Sequence, residues 1–454
     1  MGAATNNNTT DHNGGLHVAI IGAGITGINL ALGLQARNIR YTIYERAPGF
    51  REIGAGIGFS PNAERAMGVL NADDVLAAYK RVANPNGEDY FQWLDGRHSD
   101  SLLFKLYCGK DGFQGCRRSD ILEEWAKRVP ASCVQFGKQV DSVADGKDNH
   151  DDGGGGVVIT FTDGTTARAE AVVGCDGIRS RIRQIVLSSP DDKSAIAAQH
   201  PHYSNKFCFR ALVPMSRAVK ALGPYRAGTR FMYNGPDAHI ITYPIGNNTV
   251  LNVLAVISDP DPWLDSKKHT TNGSKREALA AFGAWHPTVR KIVDLLPDEM
   301  EKWAIFDMAE HPAPTYVRGR VCVAGDAAHA SGPHLGAGGG MGIEDALVLS
   351  ALFEAVAQEA SANKTVEKRK LIEAALVAYN DVRYGRTQEV VQATRTACDL
   401  FQWQEPAVGS DGEKFGREIT RLFHRIWEYD VNGMVREAVD GLRGRTGTNC
   451  ASGR

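Results

Sequence analysis

Six residues near the start of the chain constrain its fold more than any other stretch: Gly22-Ala23-Gly24-Ile25-Thr26-Gly27, a G-x-G-x-x-G turn. A short apolar run, His17 to Ile21, precedes it. The segment Thr26 to Ala36 has helical spacing, with Ile28, Ala31, Leu32 and Gln35 stacking by turns. Tyr41 to Glu45 alternates as a second strand, which completes a βαβ unit. In such a unit the first glycine makes the turn, the second lets a pyrophosphate approach the backbone, and the third packs helix on strand. The N–H groups and dipole at the helix start hold the anion. Glu45 lies about twenty residues further on, where a carboxylate accepts ribose hydroxyls. Gly22, Gly24, Gly27 and Glu45 are therefore candidate cofactor-binding residues, with Arg46 beside them. The unit alone does not separate FAD from NAD.

Composition bounds what this unit belongs to. At roughly 100–200 residues per domain, 454 residues make two or three domains. The 51 Lys+Arg against 53 Asp+Glu leave a net charge of −2, with no basic footprint for nucleic acid. The longest apolar stretch, Val18 to Leu34, is broken by glycines and reads as the cofactor unit rather than a membrane span. Met1 to Gly15 is polar and lacks the basic and apolar regions of a secretion signal. The eight cysteines form no CxxC pair and no metal-ligand spacing. The expectation is a reduced, cytoplasmic protein with no metal site and no membrane segment.

Residues 1–16 read as a disordered tail, 17–195 as the first part of the nucleotide-binding domain, and 196–300 as an inserted β-rich domain. Residues 301–362 read as its second part and 363–454 as a C-terminal helical region. Glu64–Tyr79 and Asp120–Arg128 have helical spacing, and Asp145–Gly156 reads as an exposed hairpin loop. In the β-rich domain Lys206–Val213, Thr229–Tyr233, His239–Pro244 and Thr249–Ile257 are strand-length and separated by turn residues. Arg320–Ala324 is a further strand, leading through glycines to a helix from about Gly342 to Gln358.

Further motifs carry chemistry. The strand at Val321 runs into Gly325-Asp326 and then Gly332-Pro333-His334-Leu335-Gly336-Ala337-Gly338-Gly339-Gly340, where successive N–H groups at a helix start can form an anion nest. Between the two glycine clusters lie Gly174-Cys175-Asp176-Gly177-Ile178-Arg179-Ser180-Arg181-Ile182-Arg183 and Arg117-Arg118-Ser119-Asp120. Glu52-Ile53-Gly54-Ala55-Gly56-Ile57 and Pro61-Asn62-Ala63 follow the first unit. Together these resemble the fingerprints of the class A FAD-dependent aromatic hydroxylases, in their salicylate-hydroxylase branch. Ser119, where alanine is commoner, is a mild departure. Within the family the likeness is to fungal polyketide oxidative dearomatases of tropolone and azaphilone pathways. It is carried by Pro201-His202-Tyr203-Ser204 with Phe207-Cys208-Phe209-Arg210, by His239-Ile240-Ile241-Thr242-Tyr243-Pro244, and by Ile426 to Asp430 and Met434. The resemblance spans residues 17 to about 440.

The resemblance implies an α/β fold: a Rossmann-like FAD-binding domain with an inserted β-sheet substrate domain and C-terminal helices. It implies FAD and NADPH as cofactors. Asp326 is carried over to the ribityl chain, Asp176 to the fingerprint shared by FAD and NAD(P)H, and Arg118 to the flavin side. Gly56, Pro333, Gly336, Gly338 and Gly339 fall in its cofactor-binding loops. Arg210 and Tyr243 map onto the catalytic pair that positions a phenolate, with His239 and Pro333 as further substrate-binding candidates.

Arg210 and Tyr243 also make sense unaided. Alternate strand residues share a face, so Cys208, Arg210 and Leu212 project together, as do His239, Ile241 and Tyr243. An arginine embedded between Phe209 and Ala211 needs an anion, because an unpaired buried charge is costly. A structural salt bridge or an anionic substrate would each supply it. His239 reads equally as a satisfied sheet histidine, and the roles of His329 and His334 stay open. The reaction implied by the resemblance runs through a C4a-hydroperoxyflavin. It adds one atom of O2 to a resorcinaldehyde-type phenolic polyketide, and dearomatises the ring if the attacked carbon carries a methyl group. The alternative is a salicylate-type hydroxylase with an aromatic product. From another class comes a non-catalytic GDP-dissociation-inhibitor-like binding protein, against which the intact Gly325-Asp326 and Asp176-Gly177 elements speak. A flavin halogenase would need a Trp-x-Trp-x-Ile-Pro segment, which the chain lacks.

Overall fold

The computed structural model describes residues 15–50, 56–84, 88–110, 112–146, 155–189, 191–265, 268–362 and 366–447. The tail at 1–14, residues 52–55 of the Glu52–Ile57 motif and residues 147–154 of the glycine-rich hairpin lie outside them.

The run HVAII forms the strand His17–Ile21, nearly all of it buried. It pairs in parallel with Arg40–Glu45 on one side and Ala171–Gly174 on the other. Val134–Phe136 and Val321–Val323 extend the sheet outward in parallel, and Val317–Arg318 closes one edge antiparallel. Strands covered on both faces read as continuous apolar runs rather than alternating ones, as AVVG and VCV do. The helix Ile25–Ala36 is buried on almost every side, because the helix Gly338–Ala362 lies over it.

A second, eight-stranded sheet runs in the order Thr270–Ser274, Glu299–Asp307, His202–Pro214, Val250–Ser258, Ala238–Ile245, Phe231–Gly235, Glu88–Asp95, Leu102–Lys110. All neighbours are antiparallel except Phe231–Gly235 with Glu88–Asp95. Period-two alternation sorts its faces. Phe207, Phe209, Ala211 and Val213 pack on one side with Ala278, Phe282, Val289 and Ile292 of flanking helices. Cys208, Arg210 and Leu212 take the other side, where Cys208 packs with Val256 and Ile305. The helices Lys368–Phe401, Gly412–Trp427 and Val431–Thr446 complete the fold. The last two are capped by Asp411 and Asp430, whose carboxylates accept N–H groups of the first turn.

Two elements differ from expectation. The long helix begins at Gly338 rather than near Gly342, because its glycines let it dock closely. A Cβ at Gly340 would lie 3.0 Å from Ala63, and one at Gly342 would overlap Thr26. The segment Glu64–Tyr79 is no single helix: Pro61–Asn71 passes through a π-helical turn, Ala72–Leu76, into Ala77–Val82. Asn71 breaks the register by accepting the Asp74 N–H at 3.0 Å. Among the described residues no helix is long and apolar enough to cross a membrane.

Candidate active site

A cleft of about 1450 Å³ opens at the carboxyl ends of the parallel strands, the usual ligand position in an open α/β sheet. Gly22, Gly24, Glu45, Arg46, Arg118, Asp176 and Asp326 all line it. The three fingerprint glycines have separate jobs. Gly22 has φ +103°, and a Cβ there would strike the Cys175 carbonyl. A Cβ on Gly27 would strike the Gly22 carbonyl, whereas one on Gly24 would meet nothing within 4 Å. The first and third positions thus pack the turn, and the second leaves room above it. Glu45 is planted beside that room: Oε2 accepts the Ala23 N–H and Oε1 the Ala47 N–H, both at 2.8 Å. An open glycine, a helix N-terminus, a fixed carboxylate and two arginines on one wall fit an adenine dinucleotide.

The neighbouring part of the lining is tied together by side chains. Asp176 accepts the Ser180 hydroxyl at 2.5 Å and the Arg181 N–H at 2.6 Å. Arg183, fully buried, donates to the Ile178 carbonyl at 3.3 Å and the Asp326 carbonyl at 2.9 Å. Burial pulls its guanidinium down to about 10. Asp326 is exposed in an otherwise buried run from Val321 to Ala330, so its carboxylate faces the cleft. A Cβ on Gly338 would stand 3.9 Å from Asp326 Oδ1. Gly336 rests on Phe113 and Gly339 on Phe59 and Ile57, while Pro333 is exposed.

Register places the substrate-side candidates. Cys208, Val256 and His239 form one cross-strand row; Arg210, Leu254 and Ile241 the next; Leu212, Asn252 and Tyr243 the third. Arg210 and Tyr243 are therefore two strands and one row apart, roughly 12 Å at the backbone, a gap that two long side chains can close around a ring. Arg210 is not buried as its apolar neighbours suggested. Phe209 and Ala211 point to the other face, and Arg210 is exposed with its Cζ 4.6 Å from the Trp303 ring centroid. Its charge meets an indole face rather than a carboxylate.

Tyr243 stands against the glycine loop. A Cβ on Gly56 would come 2.7 Å from its hydroxyl oxygen, and the Gly56 N–H donates to Asn252 Oδ1 at 3.3 Å. Burial pushes the Tyr243 hydroxyl up to about 12, against the pull of Arg230 and Arg210. His239 is buried, with Nδ1 3.3 Å from Gln402 Nε2 and its ring edge-on to His334 and Phe401 at 5.5 and 5.3 Å. Burial lowers both histidines, His334 to about 3, so both are neutral near pH 7.

Sequence reasoning passed over three features. Asn252 and Arg230 flank Tyr243, and only the strand register reveals them. The third is a buried ionic cluster beneath the cofactor turn. Asp345 accepts the Gly325 N–H at 2.8 Å, His329 Nε2 at 2.6 Å and Arg383 Nε at 2.7 Å. Glu344 accepts Arg383 Nη1 at 2.6 Å, Arg386 at 3.2 Å and Asn62 Nδ2 at 2.7 Å. Two acids in the middle of an apolar helix, Ile343-Glu344-Asp345-Ala346-Leu347, were the available signal.

The family model described as an FAD binding domain matches residues 15–378. The chain is 48% identical over 441 residues to the FAD-dependent monooxygenase orf3 of Aspergillus niger, covering 95% of this chain and 97% of that one. It is 48% identical over 436 residues to the FAD-dependent monooxygenase pigN of Monascus ruber, again covering 95% and 97%. Among solved structures, a salicylate hydroxylase in complex with substrate superposes with a TM-score of 0.78 at 30% identity, covering 93% of this chain and 98% of that one.

Proposed function

Because the chain belongs to the FAD binding domain family of FAD-dependent monooxygenases, we propose that it hydroxylates a resorcinaldehyde-type phenolic polyketide, with NADPH as reductant. Where the attacked carbon carries a methyl group, the product is a dearomatised hydroxydienone. FAD, which Gly24, Glu45 and Asp326 of the cleft would hold, would supply hydride acceptance from NADPH and transfer of one oxygen atom of O2, the other leaving as water.

The protein's own part is to present the ring as a phenolate and to keep water away. A phenol resembles a tyrosine side chain in titrating near ~10. A guanidinium within about 4–6 Å lowers that by roughly 1–3 units. Arg210, to which no carboxylate among the described residues is bound, takes that role once a ring slides beside Trp303. Tyr243 stays protonated at neutral pH and donates to the same oxygen. Asn252 fixes the backbone of Gly56, which keeps the Tyr243 hydroxyl next to the cofactor loop. Negative charge held on the oxygen raises electron density at the ortho carbon. A methyl group there leaves no proton to lose, and aromaticity is not regained.

The position of the Tyr243 hydroxyl against Gly56 carries this reading. Its test is NADPH consumption with and without a methylated dihydroxybenzaldehyde, with product mass read in the same tubes. A product one oxygen heavier, with loss of aromatic absorbance, supports dearomatisation. A yellow protein that no phenol stimulates removes the substrate class, and a colourless one removes the flavoenzyme. Likeness to a salicylate hydroxylase favours a second reading, in which the product stays aromatic. Retained aromatic absorbance with the added oxygen selects it.

A further inference from the structure

Arg230 is 4% exposed and immediately precedes the strand Phe231–Gly235. That strand pairs antiparallel with Ala238–Ile245, Phe231 opposite Thr242. One step further along the register, Arg230 stands opposite Tyr243, where directly facing side chains are neighbours. Its guanidinium carbon lies 5.0 Å from the centroids of both Phe91 and Phe113, and Nη2 donates to the Phe113 carbonyl. Phe113 has φ +55°, a left-handed backbone that costs an aromatic residue energy. Its ring fills the space over Gly336 and Gly58, two glycines on the cofactor side where a Cβ would come 2.5 and 3.0 Å from it. One buried cation thus touches the strained turn, reaches the Gly336 loop through the Phe113 ring and stands across the strand register from the tyrosine assigned to the substrate.

We propose that Arg230 is a positioning residue that holds Tyr243 and the Gly336 turn in one frame and keeps a positive charge beside the Tyr243 hydroxyl. The inference rests on the reading of Tyr243 as the substrate-facing hydroxyl. The charged or titratable groups bearing on Tyr243 are Arg230 ahead of its partner strand, Arg210 from His202–Pro214 and Cys116 from Gly115–Arg117. Arg117 lies against Gly246, just beyond the Tyr243 strand. Arg230 opposes the burial of Tyr243 more strongly than Arg210 does. Arg230 also sits one strand from Tyr243 where Arg210 sits two, so Arg230 is assigned to that hydroxyl and Arg210 to the substrate.

The test uses the holoenzyme with 3-fluorotyrosine at position 243, titrated by ¹⁹F NMR. Arg230→Gln raises the ionisation midpoint by about one unit, the lower end of what one opposite charge at close range supplies. Arg230→Lys keeps a charge without the planar fork and raises it less. No shift in either variant, or equal shifts in both, overturns the proposal. If the Gln variant does not fold, the Lys variant alone decides, by whether the midpoint moves. Phenol affinity against pH gives a second readout: Arg230→Gln moves its midpoint to higher pH in the parent enzyme but not in a Tyr243→Phe background. An equal movement in both backgrounds also overturns the proposal. The NMR titration needs no substrate, so an enzyme that binds no phenol would remove the assigned reaction while the Tyr243 midpoint still decides Arg230.

Discussion

Replacing Arg383 by methionine should cost about 3 kcal/mol of stability, and the size follows from what remains around the two carboxylates. Arg383, Glu344 and Asp345 have fully buried side chains. Removing one partner of a buried pair costs about 3–5 kcal/mol, because the other charge is left uncompensated. Here each acid keeps help: Glu344 has Arg386 and Asn62, and Asp345 has His329 and the Gly325 N–H. The lower end of the range applies, about a hundredfold in the folding equilibrium at ~1.4 kcal/mol per decade. The assay is urea unfolding of the holoenzyme and the flavin-free protein in parallel. The variant Arg383→Met/Glu344→Gln/Asp345→Asn should recover most of the loss, since neutral groups bury more cheaply than orphaned charges. The pH dependence has a definite sign. Burial pushes both carboxyls up, but Arg383 and its neighbours outweigh it and hold both below their ordinary values. Their stabilisation is therefore present above the unfolded carboxyl range, near pH ~4, and lost as pH falls below it. Without Arg383 the acids take up protons at higher pH, so the gap between parent and variant narrows from pH 7 to pH 5. A loss under about 1 kcal/mol, or a gap that widens in acid, refutes the reasoning.

Arg210→Ala should keep its yellow flavin and lose substrate-triggered NADPH oxidation by roughly 10-fold or more, the value of a hydrogen bond to a charged group; normal turnover refutes its role. Tyr243→Phe should weaken turnover by a similar factor. Because the hydroxyl is held up to about 12, the parent enzyme should show no alkaline limb from Tyr243 below pH ~10, and a Tyr243-dependent limb near pH ~9 contradicts the assignment. Gly24→Ala should unfold like the parent in flavin-free form yet bind FAD at least 10-fold more weakly, since its Cβ projects only into the cleft. Gly27→Ala should destabilise even the flavin-free protein, by its clash with the Gly22 carbonyl. Fluorescence titration with FAD and urea melts separate the two.

What could be read from residues was what depends on local rules. The glycine turn, its strand and helix and the terminal Glu45 form a contiguous unit, and the structure shows each in place. The stretch Lys206–Val213 reads from its alternation as a strand with two faces, and it lies within the longer strand His202–Pro214. Longer-range facts stayed hidden. Glu88–Asp95 and Leu102–Lys110 were not anticipated: they pair with each other as a hairpin, but the strand that ties them into the sheet, Phe231–Gly235, lies far along the chain. Arg210 looked buried because flanking letters carry no information about which face of a sheet is covered. Arg230 became visible only through a register that no single strand states. The Glu344–Asp345–Arg383 cluster joins three charges from two helices, and opposite charges far apart in sequence give no hint that they will meet without water.

The parallel seam between Glu88–Asp95 and Phe231–Gly235 also bears on the birth of the protein and on its redesign. During synthesis the hairpin bearing Phe91, Trp93 and Leu106 leaves the ribosome well before the strand it leans on. Its apolar side, which packs on Phe401, Phe415 and Phe423 of the C-terminal helices, waits uncovered longer still and is exposed to misassembly until they emerge. The same seam governs recombination between relatives. A transplant of residues 202–307 alone would bring six of the eight strands and leave the recipient's own hairpin against a foreign edge, with Phe91 and Trp93 meeting a foreign Met232. A chimera that exchanges substrate preference must carry 88–110 and 202–307 as one cassette.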